Sequence, residues 1–165
     1  MADRPVVVAV DEQTAVAIDL DRWQRLATDA LVASEVHVGE LNLLFVEEAE
    51  MRELNLQHMD EDRPTDVLSF PLDGADGDPL GDDLIGAILI GDIVVCPAYA
   101  LRQAEEHAGD RTHDGSVDDE LALLIVHGVL HVLGHDHAEP DETALMQRCE
   151  DELLTAYHLP HRTEQ

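Results

Sequence analysis

Lysine is missing altogether. The nine basic residues are all arginine, set against 37 acidic ones, and the formal charge is −28 over 165 residues. A chain so acidic has no evident basic face with which to displace counterions from a nucleic-acid backbone, which argues against broad electrostatic capture of DNA or RNA. The acidity suits a soluble, self-repelling surface, or a salty cytoplasm where screening is strong. Aromatic residues make up only 3%, so the core has to be built from Val, Leu, Ile and Ala. Two cysteines, Cys96 and Cys149, are too few for a disulfide framework and are expected as reduced thiols. No run approaches the ~20 apolar residues needed to cross a bilayer. The first ten residues carry an acid and a short apolar run, which is no signal-peptide core. A cytoplasmic location is expected, with no membrane partner.

What is present reads as one globular domain over residues 1–165, 45% hydrophobic and 28% charged. Pro5 to Val10 is β-branched and predicts a strand. From Asp19, Leu20, Trp23, Leu26, Ala27, Ala30 and Leu31 recur at helical spacing. Glu40 to Glu47 predicts a buried strand, Glu48 to Leu56 a short helix, and Gln57 to Pro64 a loop. Thr65 to Leu72 predicts a third strand, Asp73 to Asp83 an acidic excursion, and Leu84 to Cys96 further strand. Pro97 opens a helix to about Ala108. Ser116 is a candidate N-cap for an apolar helix over Val117 to Leu133, and Pro140 to Tyr157 predicts a last amphipathic helix. The order β-α-β-α-β-β-α-α-α implies an α+β fold, a small sheet of about four strands packed with about five helices.

The chemistry concentrates in HGVLHVLGHDH. His127 and His131 stand four apart on the apolar helix, so both lie on one face, one turn above the other. That spacing lets two imidazoles reach a single ion. Gly134 can adopt the left-handed conformation that ends a helix and folds the chain back. His137 then arrives as a third ligand, with His135 as an alternative and Asp136 as a candidate acceptor behind a ligand imidazole. Three protein ligands and an open position describe a catalytic zinc site, one Zn2+ per chain. The pattern H-x-x-x-H-x-x-G-x-x-H is that of the metzincins with one difference: Gly128 stands where a zinc peptidase carries its glutamate base.

Together with TDVLSFP at Thr65 to Pro71 and GDIVVC at Gly91 to Cys96, the histidine segment closely resembles the YbeY family of endoribonucleases, from about Leu41 to Tyr157. The resemblance implies a zincin-like fold with zinc on His127, His131 and His137. It further implies single-strand-directed RNA cleavage in ribosomal RNA maturation, notably at the 3′ end of the small-subunit RNA, and in ribosome quality control. Many members carry an arginine, thought to bind phosphate, before TDVLSFP. Here Met59 occupies that position, and Arg63 nearby is a candidate phosphate contact.

The expected reaction is zinc-assisted hydrolysis of an RNA phosphodiester, with a water on the ion as nucleophile and no general base assigned. The acidic surface predicts a basic partner, such as the ribosome or a ribosomal protein, to concentrate the RNA; DNA is not expected as a substrate. Two other classes fit the same residues: a zinc peptidase or amidase, and a non-enzymatic ribosome-assembly factor in which zinc clamps the last helices.

Overall fold

A computed structural model describes residues 4–71, 89–109, 113–135 and 139–161. The acidic excursion from Asp73, the Leu84 end of the fourth strand, Asp136 and His137 lie outside these residues.

Four strands form one sheet in the order β1-β2-β4-β3: β1 (Val6–Asp11), β2 (Glu40–Phe45), β3 (Val67–Pro71) and β4 (Leu89–Val95). β1, β2 and β4 run parallel, and β3 returns antiparallel along β4. Alternation decides the two faces. Leu41, Leu43 and Phe45 of β2, with Ile93 and Val95 of β4, point to one side and are fully buried. Leu44, Leu68 and Val94 point to the other.

Five helices are described: α1 (Leu20–Ala33), α2 (Glu48–Met59), α3 (Pro97–Ala104), α4 (Val117–Val132) and α5 (Pro140–Tyr157). α1, α4 and α5 bring Trp23, Leu31, Ile125 and Met146 onto the first face, the main core. Met51 of α2 is buried over the second. The architecture is thus α+β, in the element order read from the sequence. No described helix is long and apolar enough to cross a membrane.

Two helix ends differ from the sequence reading. α2 runs three residues past Leu56, because nothing before Pro64 opposes a helix and buried Asn55 ties the following loop by donating to the carbonyl of Arg63 at 2.8 Å. α3 stops at Ala104 and tightens into a 3-10 turn over Glu105–His107. Both cysteines are free, and burial pushes the Cys96 thiol above its ordinary range, which keeps it a thiol at neutral pH.

Buried polar groups stitch the helices together. Arg22 of α1 donates to Nδ1 of His158 at 3.2 Å, so Nε2 carries the ring proton and donates to Asp119 of α4 at 2.7 Å. Asp119 and His158 are both buried, and such groups are tolerated because they are paired.

Candidate metal centre

α4 positions the site, and its ends are set by local chemistry. Ser116 caps it by accepting from the Asp119 amide at 3.1 Å, with acids throughout the first turn. At the far end Gly134 has φ +103°. Its amide donates to the His131 carbonyl and the His135 amide to the Leu130 carbonyl, both at 3.0 Å. These are the paired bonds of a Schellman stop, which glycine at that position permits. The turn expected from the sequence is therefore present.

Between these ends, Glu120, Leu123, Leu124, His127 and His131 fall at helical spacing along one stripe. The rings of His127 and His131 lie 4.6 Å apart between centroids at an interplanar angle of 73°. Both border a hollow of about 320 Å³ shared with Met59, Asp66 and Ser69. His127 and Asp66 also border a second hollow of about 350 Å³, which continues past His107 and Glu120 and is walled by Met146 and Glu150 of α5. Together the two make one cleft astride α4.

Nδ1 of His127 donates to Oε2 of Glu150 at 2.6 Å. With Nδ1 so committed, Nε2 is the nitrogen that a metal would use. A neutral imidazole oriented by a carboxylate is the usual arrangement behind a metal-ligating histidine, so the donor set fits a zinc ion. His135 borders a different hollow, with Gly134, Glu142 and Leu145.

Gly128 shows why no glutamate follows the first histidine. A Cβ built there would lie 2.8 Å from Cγ2 of Ile93 and within 3.3 Å of two more atoms of that side chain. α4 rests on β4 at this point, and any side chain at position 128 would press on Ile93.

Arg63 stands apart from the cleft. It pairs with Glu61 at 2.8 Å and its side chain is 73% exposed. None of the described residues that border the two hollows is an arginine. Asp66 is held firmly instead: one oxygen accepts from the Val67 amide at 2.7 Å, the other from Nε2 of Gln103 at 2.8 Å.

Gln103 leads to a second polar cluster. Its amide also donates to Glu120 at 2.7 Å, and Glu120, fully buried, meets Nδ1 of His107 at 2.7 Å and Nε2 of His113 at 2.8 Å. His107, His113 and Glu120 bring their ligand atoms within 4.8 Å of one another, close enough to hold a metal by position. Hydrogen bonding points elsewhere. The Gly115 amide donates to Nδ1 of His113 at 2.9 Å, so Nε2 must carry the proton given to Glu120. Metal on Nε2 would force a proton onto Nδ1 against that N–H, and the group is better described as a hydrogen-bonded clasp between α3 and α4.

Sequence spacing brought out His127 and His131 and missed the acids around them. Glu120 is seven residues before His127 on the same helix face, a signal that was there to read. Glu150 falls in phase with Met146, Leu153 and Leu154, an acid on a buried stripe.

Comparison with known proteins gives a consistent picture. A family model described as endoribonuclease YbeY matches residues 9–158. An endoribonuclease YbeY of Thermobifida fusca is 44% identical over 91% of this chain and 93% of its own. One of Acidothermus cellulolyticus is 43% identical over 95% of this chain and 94% of its own. A solution structure of a Thermotoga maritima protein aligns with a TM-score of 0.57 over 96% of this chain and 97% of that one; at 23% identity it speaks for the fold alone.

Proposed function

This chain belongs to the endoribonuclease YbeY family, and from that premise we propose that it is a zinc-dependent endoribonuclease that hydrolyses single-stranded RNA. The observation that carries the reading is the pair His127 and His131 on one stripe of α4, opening into a cleft and backed by the carboxylate of Glu150. His137, beyond the Gly134 turn, is the third ligand, and residues 1–165 act as one hydrolase domain. A zinc ion held there would acidify a water ligand towards a pKa of ~7 and offset phosphoryl charge.

The remaining work falls to the protein. The imidazoles of His127 and His131 hold the ion, and Glu150 keeps His127 in the tautomer that presents Nε2. The cleft walls at Val67, Leu68 and Met146 limit water around the scissile bond. Asp66, fixed by Val67 and Gln103, presents an acceptor to whatever enters the cleft. Gly128 supports RNA over peptide as substrate, since the usual peptidase base is missing and a Cβ at its position would crowd Ile93.

Electrostatics supports a helper. Arg52, Arg63 and Arg102 are each paired with an acid, at Asp62, Glu61 and Glu48. An acidic enzyme of this kind works where a basic partner concentrates RNA, in the cytoplasm on the ribosome or a ribosomal protein, in maturation of the small-subunit RNA 3′ end and in ribosome quality control.

The test pairs zinc analysis with cleavage of a single-stranded RNA and of a peptide by wild type and His131→Ala. RNA cleavage should fall by at least roughly 100-fold in the variant, beyond what losing an outer partner of a ligand usually does. Equal RNA cleavage by both proteins would assign the activity to a contaminant. Peptide cleavage that depends on His131 would make the chain an amidase. Loss of fold on chelation without either activity would leave zinc as a clamp in an assembly factor.

A further inference from the structure

We propose that Glu150 is the positioning residue of the metal centre, setting zinc affinity by locking His127 in one tautomer and one ring orientation. The inference rests on the zinc reading above and adds a residue on a different helix, 23 positions along the chain.

Three observations carry it. The first is burial. The Glu150 side chain is 5% exposed and sits on the stripe of α5 that otherwise delivers Met146, Leu153 and Leu154 to the core. A carboxylate taken out of water loses hydration and is kept in a core only where a partner compensates it, here the ring N–H of His127.

The second is geometry. The 2.6 Å bond from Nδ1 of His127 to Oε2 is a charge-assisted one, short and strong. An acid that accepts at Nδ1 must leave the proton there, and so makes Nε2 the basic nitrogen. The ring cannot rotate without breaking that bond.

The third is location. Glu150 and His127 border the same cleft, so the acid meets the ring from α5, and His127 also borders the hollow it shares with His131. Docking of α5 on α4 and assembly of the ligand set thus become one event. An unlocked His127 would spend part of its time in the other tautomer or flipped, and zinc would have to supply the ordering free energy on binding.

The experiment compares the full chain of wild type, Glu150→Leu, Glu150→Gln and, as a reference, His127→Ala. Three quantities are read: the His127 ring nitrogen shifts in metal-free protein, at a pH where the ring is neutral; the zinc dissociation constant by chelator competition; and the melting temperature without metal. Glu150→Leu should lose the fixed Nδ1–H signature in the folded protein and bind zinc roughly 10–100-fold more weakly, at temperatures where the metal-free variant is still folded by its melting curve. Glu150→Gln keeps an acceptor oxygen without the charge and should fall between the two. A structural role would lower the melting temperature and leave the ring signature of the folded protein in place.

Zinc binding by Glu150→Leu and Glu150→Gln as tight as wild type, with the tautomer unchanged, overturns the proposal. If the leucine variant does not fold, the glutamine variant decides by the same two readouts. If wild type binds zinc no better than His127→Ala, the zinc reading itself fails, an outcome distinct from tight binding that ignores Glu150.

Discussion

Gly128 lies next to His127 in sequence and faces another way in space. A helix turns about 100° per residue, so when His127 looks into the cleft its successor looks towards the sheet, and Ile93 is already there at 2.8 Å from any Cβ. Restoring the peptidase glutamate would push a charged chain into the α4–β4 contact. Gly128→Glu is expected to cost on the order of 4 kcal/mol, from overpacking and a buried unpaired charge. Urea unfolding would read this as a lower midpoint, with no peptidase activity gained. A stable, folded Gly128→Glu protein would show that α4 can lift from the sheet and that the geometry leaves more room than described.

Among the elements, α2 and α3 meet only thinly, and an ion pair helps to join them: Arg102 of α3 donates to Glu48 of α2, with Nη1 at 2.8 Å from Oε1. Hydrogen bonding and charge from Arg102 hold the Glu48 carboxyl below its ordinary value of 4.5, against a smaller opposing effect of burial. A carboxyl whose folded pKa is depressed contributes stability that is full above the unfolded value and lost as pH falls through the folded one. Arg102→Ala should therefore lower the melting temperature near pH 7, by less than about 3 °C because both side chains are partly exposed. The difference should shrink as pH drops from 4.5 and vanish below the folded pKa. A difference that persists undiminished in acid would assign the effect to lost packing against Tyr99, whose ring lies 5.3 Å from the guanidinium.

At the scale of the whole molecule the governing quantity is the charge of −28. Such a charge makes the compact state repel itself, and salt relieves that repulsion within a Debye length of roughly 10 Å at 0.1 M. Raising potassium chloride from 0.02 to 0.5 M (roughly 20 to 4 Å of screening) should raise the melting temperature by roughly 3–6 °C, equivalent to about 1–2 kcal/mol. A flat or falling response would mean that local ion pairs such as Arg22–Asp118 and Arg52–Asp62 outweigh the net charge. The same imbalance bears on function, since a bare RNA meets mostly acid on this surface.

Periodicity alone determined the element order, because the alternation of Leu41, Leu43 and Phe45 and the three-and-four recurrence from Leu20 are local properties of the chain. Spacing alone put His127 and His131 on one face and marked Gly134 as the helix stop, for the same reason: a helix and its Schellman turn are built from neighbours in sequence. Order of strands in the sheet, with β4 between β2 and β3, was not legible, since pairing depends on which distant segments bury each other. Nor were the partners of the histidines. Glu150 reaches His127 from another helix, Gln103 joins Asp66 to Glu120 across three elements, and Arg63, near the motif in sequence, turns out to Glu61 instead. The ligands are read from a local repeat, but what orients them and what fills the space beside them come from helices and strands that only packing brings together.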